Sequence, residues 1–264
     1  MTEKKKSQGR IIQSVDRSIS ALLLFLEDVQ ELGIKDFSEK LDLPKPTIHS
    51  LINTMTARQL LEQNPENSKY RLGPALFRLG IQYVRQSDVL STVSIHAERL
   101  CYKFSKSVNV CMLVGGQVVV VYKVDPDQAV IAYPDVGAVV PLHNTANGKL
   151  LLAFAEPEVR AEILADLELI KSTEATITDP ALFEAELDSV RSGHISYNRG
   201  EGVSGIYAIS GPIYNHRDQV IASFAISGKE DFFKENEQRL VGEVKKTAQA
   251  MSKHLGYTGQ IYTR

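Results

Sequence analysis

DFSEKLDLPKPTIHSLINTMTARQLLEQ, residues 36–63, carries more structural information than any other stretch of this chain. It predicts a short helix over roughly 37–41, a tight turn through Asp42 and Leu43, and a longer helix beginning near residues 44–46. In the second helix Ile48, Leu51, Ile52 and Met55 recur at i, i+3, i+4 and i+7, which is one buried stripe at the helical period. Pro46, Ser50, Asn53 and Ala57 then point the opposite way, flanked by Thr47, His49 and Thr54, with Lys45 at the N-terminal end. Such a small, polar face can enter a major groove, where hydroxyl, amide and imidazole groups meet base edges. The spacing alone also fits a helical hairpin with a solvated face.

The flanks favour the DNA reader. Downstream, LLEQ is a short apolar strand, NPENSK is turn chemistry, and YRL is a return strand bearing Lys69 and Arg71 at its base. A β-hairpin directly after a recognition-type helix is the layout of a winged helix-turn-helix. Upstream, SVDRSISALLLFLEDV places Ile19, Leu22, Leu23, Leu26 and Val29 on one helical face that can cover the other two helices.

Four segments, SVDRSISALLLFL, LDLPKPTIHSLINTM, YRLGPALFRLG and PLHNTANGKLLLA, stand in an order that resembles the isocitrate-lyase-regulator (IclR) family of bacterial transcription factors. The resemblance runs from about residue 14 to 256. It implies a two-domain chain: a mainly α winged helix-turn-helix, a linker helix, and a GAF-like α+β effector-binding domain with an antiparallel sheet. The corresponding boundaries are 10–73, 74–87 and 88–257. The family usually carries Ser-Thr-Val-His-Arg in the recognition helix, where this chain has Pro46, Thr47, Ile48, His49 and Ser50. Without that arginine, the commonest guanine reader, the operator sequence does not carry over.

Charge is unevenly spread. The net charge of the chain is −2, yet residues 1–86 sum to +3 and residues 87–264 to −5, so the positive excess lies with the reader that would meet phosphate. Lys4, Lys5 and Lys6 could trail along a DNA backbone or form a solvated tail. The N-terminus is charged and without an apolar core, and no apolar run approaches the ~20 residues of a membrane span, so a cytoplasmic protein is expected. Cys101 and Cys111 lack metal-ligand spacing and read as buried thiols; no metal, cofactor or catalytic residue is called for.

Past Pro74, Leu76, Leu79, Gly80 and Tyr83 form a stripe that nothing in the small domain covers, which suggests a partner subunit, as dimer or dimer of dimers. A helix from Val89, with Leu90, Val93, Ala97, Leu100 and Phe104 in register, is spaced to pack on a sheet. NVCMLVG and QVVVVYKVD, joined by Gly115 and Gly116, predict a hairpin, and residues 129–133 a third strand. Two more helices are expected at 157–167 and 180–192, strands at IYAISGPIYN and QVIASFAIS, and a closing helix at 235–255 with Leu240, Val244, Ala248, Met251 and Leu255 on one face. GEGVSG, at 200–205, matches a dinucleotide fingerprint literally, but the next residues read as extended chain, so no helix N-terminus awaits a pyrophosphate.

A second site is expected in the larger domain. Leu142, His143, Asn144, Thr145 and Ala146 open a helix whose first N–H groups suit an anion, although a plain capped helix packing through Ala146 and Gly148 fits equally. The resemblance places this loop beside the effector pocket and puts effector contacts at Asn198, Ala208 and Ser227. Some relatives that sense small acids have an acidic residue and a cysteine in place of Asn198 and Ala208, so the resemblance argues against the smallest acids, such as glyoxylate, and allows a larger or less polar carboxylate. The rival reading, a hydrolase or other enzyme with an accessory DNA-binding domain, would draw on His143, His194, Ser204, Ser210 and Ser227. No G-x-S-x-G elbow supports it.

Overall fold

The computed structural model describes residues 11–27, 29–86, 88–127 and 134–262, with the backbone alone at 83–86, 88 and 89. The expected strand at 129–133, the Tyr83 side chain and the N-terminal lysines lie outside the described residues. The chain divides into two compact units, 1–86 and 87–264.

The first unit begins with α1 (Gln13–Leu23), followed by a 3₁₀ turn (Leu24–Leu26), α2 (Ile34–Leu41) and α3 (Lys45–Ala57). Helix α2 starts three residues before the expected Phe37, because the Asp36 carboxylate accepts a hydrogen bond from the Gly33 N–H and closes the first turn. Asp42 ends it in the left-handed region (φ 51°), a conformation that short polar side chains tolerate. Ile48, Ile52 and Met55 are buried as the stripe requires, while Leu51 is only half-buried at its edge.

The face of α1 differs from expectation. Ala21 and Phe25 pack against Phe37 and α3, whereas Ile19, Leu23 and Leu26 are exposed. The helix gives way to the tighter 3₁₀ turn after Leu23, which rotates the following residues and brings Phe25 inward. Strands β1 (Leu61–Gln63) and β2 (Tyr70–Leu72) form the wing, with Leu61 opposite Leu72, and Leu32 bridges to Tyr70 as a third edge. Helix α4 (Pro74–Gln86) closes the unit.

In the second unit α5 (Asp88–Phe104) leads into β3 (Ser107–Val114) and β4 (Gln117–Val124), joined by a Gly115–Gly116 turn with both φ positive, as a tight hairpin demands. Then come β5 (Val139–Val140), α6 (Ala146–Ala153), α7 (Pro157–Asp166), α8 (Pro180–Gly193), β6 (Ser196–Arg199), β7 (Ile206–Tyr214), β8 (Val220–Lys229) and α9 (Glu230–His254). The six strands form one antiparallel sheet in the order β5-β4-β3-β8-β7-β6. Helix α9 begins five residues before the expected Glu235: Glu230 and Asp231 complement its N-terminal dipole, and Phe233 already reaches the core.

The two faces of this sheet are unlike. Val108, Val110, Ile209, Ile213, Phe224 and Ile226 point to one side and form the main core with Val93, Ala97 and Leu100 of α5 and Leu240, Val244, Ala248 and Met251 of α9. The alternate residues point to the other side and are small and mostly polar: Ser107, Asn109 and Cys111 on β3, Ser223, Ala225 and Ser227 on β8, Ala208 and Ser210 on β7, Ser196 and Asn198 on β6. Helix α6 covers this second face. Among the described residues, no helix is long and apolar enough to cross a membrane.

Candidate functional sites

On α3, Lys45, Pro46, His49, Ser50, Asn53 and Thr54 are exposed together and Thr47 is half-buried beside them. Two hydroxyls of this face are engaged with their own helix: Ser50 Oγ donates to the Pro46 carbonyl (3.1 Å) and Thr54 Oγ1 to the Ser50 carbonyl (2.8 Å). Each hydroxyl keeps its lone pairs as acceptors, and the exposed Asn53 amide retains both donor and acceptor, the combination that reads adenine. In the wing Lys69 is exposed, whereas Arg71 pairs with Glu62 of the neighbouring strand. The pair is solvent-exposed, so phosphate can compete for the guanidinium. Glu31 fastens the wing turn by accepting from Asn67 (2.6 Å) and Asn64 (2.8 Å), and these hydrogen bonds, Asn67 foremost, hold its carboxyl below the usual carboxylate range.

In the larger unit three of the expected contacts fall into one cross-strand row. Asn198 lies opposite Ala208, Ala208 opposite Ser227, and Ser227 opposite Ser107. Ser227 is 3% exposed and its hydroxyl has no hydrogen-bond partner; Ser196, Ser223 and the Asn109 amide nitrogen are likewise buried and unsatisfied. Unpaired buried polar atoms are costly, and several converge on this one face. Beside the row, the Asn198 amide donates to the Asn144 carbonyl (3.0 Å) and accepts from the Glu201 N–H (2.8 Å), bracketing the α6 loop to the glycine-rich segment. Asn198 is therefore a brace that uses one amide hydrogen and one lone pair of its oxygen.

The loop before α6 divides by role. Thr145 is the N-cap, accepting from the Gly148 N–H (3.0 Å) and donating to the Pro141 carbonyl (2.7 Å). His143 is buried and its Nε2 meets the Ile170 carbonyl (2.9 Å). Asn144 donates to Ser172 while its own amide oxygen stays unpartnered. Ala146 is buried within α6. Leu142 does not join the polar row: it lines a separate cleft of about 1040 Å³ together with Leu151 and Phe154. Gly148 serves its own backbone, since a Cβ there would come within 2.4 Å of the Leu142 carbonyl oxygen. At that position close packing, not ligand approach, explains the glycine.

Sequence reasoning missed the floor of the site. Ser107, Asn109, Ser196, Ser210 and Ser223 alternate with buried apolar residues, and that period of two was a signal available in each strand. Asn147 ties α6 to this floor, donating to Asn109 (2.5 Å) and Cys111 (3.2 Å) and accepting from Ser210 (2.8 Å). Also missed was Lys149, 1% exposed, whose ammonium bonds both oxygens of Glu201 and one of Glu186, each at 2.8 Å. This buried cluster fixes α6 to α8 and to the glycine-rich segment. Residues 200–205 form turns leading into β7, so no pyrophosphate cradle exists there. Of the groups considered for acyl transfer, Ser210 pairs with Asn147, His143 with a carbonyl and His194 with Tyr214, while the Ser227 hydroxyl has no partner.

Known proteins with the same organisation are regulators. The family described as "IclR helix-turn-helix domain" matches residues 14–65, and "Bacterial transcriptional regulator IclR C-terminal" matches residues 81–253. The chain is 33% identical over 218 residues to the HTH-type transcriptional regulator XynR of Escherichia coli, covering 82% of this chain and 86% of that one. It is 32% identical over 255 residues to the glycerol operon regulatory protein of Streptomyces coelicolor, covering 94% and 98%. An IclR regulator from Silicibacter sp. TM1040 superposes with a TM-score of 0.83 at 22% identity, over 93% of this chain and 97% of that one. With a helix-turn-helix unit joined to an IclR C-terminal unit, this chain is a DNA-binding transcriptional regulator, and it belongs to the IclR family.

Proposed function

We propose that α3 reads operator DNA as part of a dimer, and that a carboxylate bound on the polar face of the sheet controls it. The observation that carries the effector reading is the Asn198–Ala208–Ser227–Ser107 row, with its unpartnered buried hydroxyl, beside the N-terminus of α6. Helix N-termini favour anions, and a hydroxyl adds one donor. In support, an IclR homologue from Microbacterium hydrocarbonoxydans, 24% identical over 92% of this chain and 98% of that one, with a TM-score of 0.79, is complexed with 4-hydroxybenzoate. The gene-regulatory target assigned here is a catabolic operon; in support, the Streptomyces coelicolor relative is named for the glycerol operon.

DNA contact is assigned to Lys45, Pro46, Thr47, His49, Ser50, Asn53 and Thr54, with Lys69 and Arg71 on phosphate. Dimerisation is assigned to the first unit, where Ile19 and Leu23 of α1 and Phe77 and Leu79 of α4 are all more than half exposed, an unusual apolar excess for so small a body. Mobility shifts on the chain's own promoter test the reader: Asn53→Ala should cost about 1–3 kcal/mol on specific sites and relax one base position. Unchanged specific affinity would remove Asn53 from the interface. Calorimetry with a panel of aliphatic and aromatic carboxylates tests the effector site. Ser227→Ala should weaken the bound acid by about 1.5–3 kcal/mol without altering effector-free DNA binding.

A further inference from the structure

The cleft that Leu142 lines lies at the opposite end of α6 from the effector row, in the same unit. It holds about 1040 Å³, the upper end of the range for small-molecule sites. Its apolar surface comes from the β3–β4 hairpin, α6, α7 and the start of β8, chiefly Leu113, Leu151, Ile163 and Val220. The rings of Phe154 and Tyr214 line one end, edge to face with centroids 6.1 Å apart and planes at 79°. Around this apolar surface stand four carboxylates, Glu156, Glu162, Asp166 and Asp218. Among the described residues no lysine, arginine or histidine lines the cleft, and none of the four carboxylates is in an ion pair.

These features share one sign. Carboxylates attract a cation, aromatic faces attract it through their quadrupoles, and the C-terminal end of a helix carries partial negative charge. The last turn of α6 already has a cationic partner, since Arg191 donates twice to the Ala153 carbonyl, at 2.9 and 2.7 Å, so the pull on a further cation comes from the carboxylates and rings of the cleft. We infer that this cleft is a second ligand site, taking a small amphiphilic organic cation: an ammonium group among the carboxylates and aromatic rings, and an apolar tail on the floor. Helix α6 then joins two sites of opposite preference, an anion at its first turn and a cation at its last. The cation site stands on its own observations and does not need the effector reading.

The test titrates the full-length protein, without DNA, with decyltrimethylammonium below its micellar concentration, and in parallel with decyl sulfate. The cation should bind at one site per chain. Glu162→Lys, on the exposed face of α7, should weaken it at least tenfold, and Asp218→Asn measurably; Asn keeps the positive φ of that turn position. Ser227→Ala, at the far end of α6, should leave cation affinity unchanged. Equal cation affinity in Glu162→Lys and the parent protein would overturn the site. So would a loss of cation affinity in Ser227→Ala, or decyl sulfate binding that Glu162→Lys weakens equally. Absent cation binding together with a lower assembly mass in Glu162→Lys would assign the cleft to a second copy of the chain, and would also overturn it.

Discussion

The two faces of the six-stranded sheet are built by the same strands yet obey different rules. On β8, Phe224 and Ile226 are wholly buried against α5 and α9, while their neighbours Ser223 and Ser227 are just as buried under α6 but leave their hydroxyls unpartnered. The apolar face is filled by large side chains and stabilises the unit by burial alone. The polar face is lined by small residues under one short helix and holds unmet hydrogen-bonding capacity. Stability and recognition are thus separated by a single residue step along each strand.

The comparison predicts opposite outcomes for adjacent substitutions. Phe224→Ala should give the largest effect, a loss of about 3–5 kcal/mol of unfolding free energy, because the ring has zero exposure and sits among Val244 and Ala248 across Gly211. Chemical denaturation would measure it. A loss under about 1 kcal/mol would mean that the apolar face collapses to fill the cavity, and that the contrast between faces is weaker than their composition implies.

Gly148→Ala ranks next and sharpens the contrast at the lid. An added methyl meets the carbonyl oxygens of Leu142 at 2.4 Å and Pro141 at 2.6 Å, both backbone atoms that cannot swing aside. The loop must move, at about 1–3 kcal/mol, and it is the same loop whose Asn144 carbonyl is held by Asn198. Thermal melts should show the loss and calorimetry a weaker effector. A stability loss with effector affinity untouched would separate the lid from the site.

Much of this architecture was legible from particular residues. The stripe of Ile48, Ile52 and Met55, the turn chemistry of the wing, and the paired glycines of the β3–β4 hairpin each carry local signals that the structure follows. Ser227, Ala208 and Asn198 were named through family resemblance; that they form one row is a matter of strand register, which no local spacing encodes. The inward turn of Phe25 depends on where α1 tightens into a 3₁₀ turn, and the Lys149–Glu201 pair joins residues 52 positions apart. Leu142 lines the cleft and not the row for a related reason: adjacent residues of an irregular loop can face different surroundings, and only three-dimensional packing assigns them.

The smallest predicted effect is the most discriminating. Ser223 has zero exposure, lies opposite Cys111 and Pro212, and has no partner for its hydroxyl. Removing a buried hydroxyl that makes no bond relieves a desolvation penalty, and the lost volume is a single oxygen. Ser223→Ala should therefore leave stability unchanged or raise it by up to about 1 kcal/mol, where its neighbour Phe224→Ala lowers it severalfold more. The same denaturation series measures both, on the same strand and in the same background. Should Ser223→Ala instead destabilise by more than about 1 kcal/mol, its hydroxyl must be held by an ordered water. The polar face would then be a satisfied, wet layer rather than an open set of donors. Adding a bound carboxylate to the parent protein distinguishes these further. An effector that engages the open hydroxyls should raise the melting temperature of the parent more than that of Ser227→Ala, and equally in Ser223→Ala if only the row at the N-terminus of α6 makes contact.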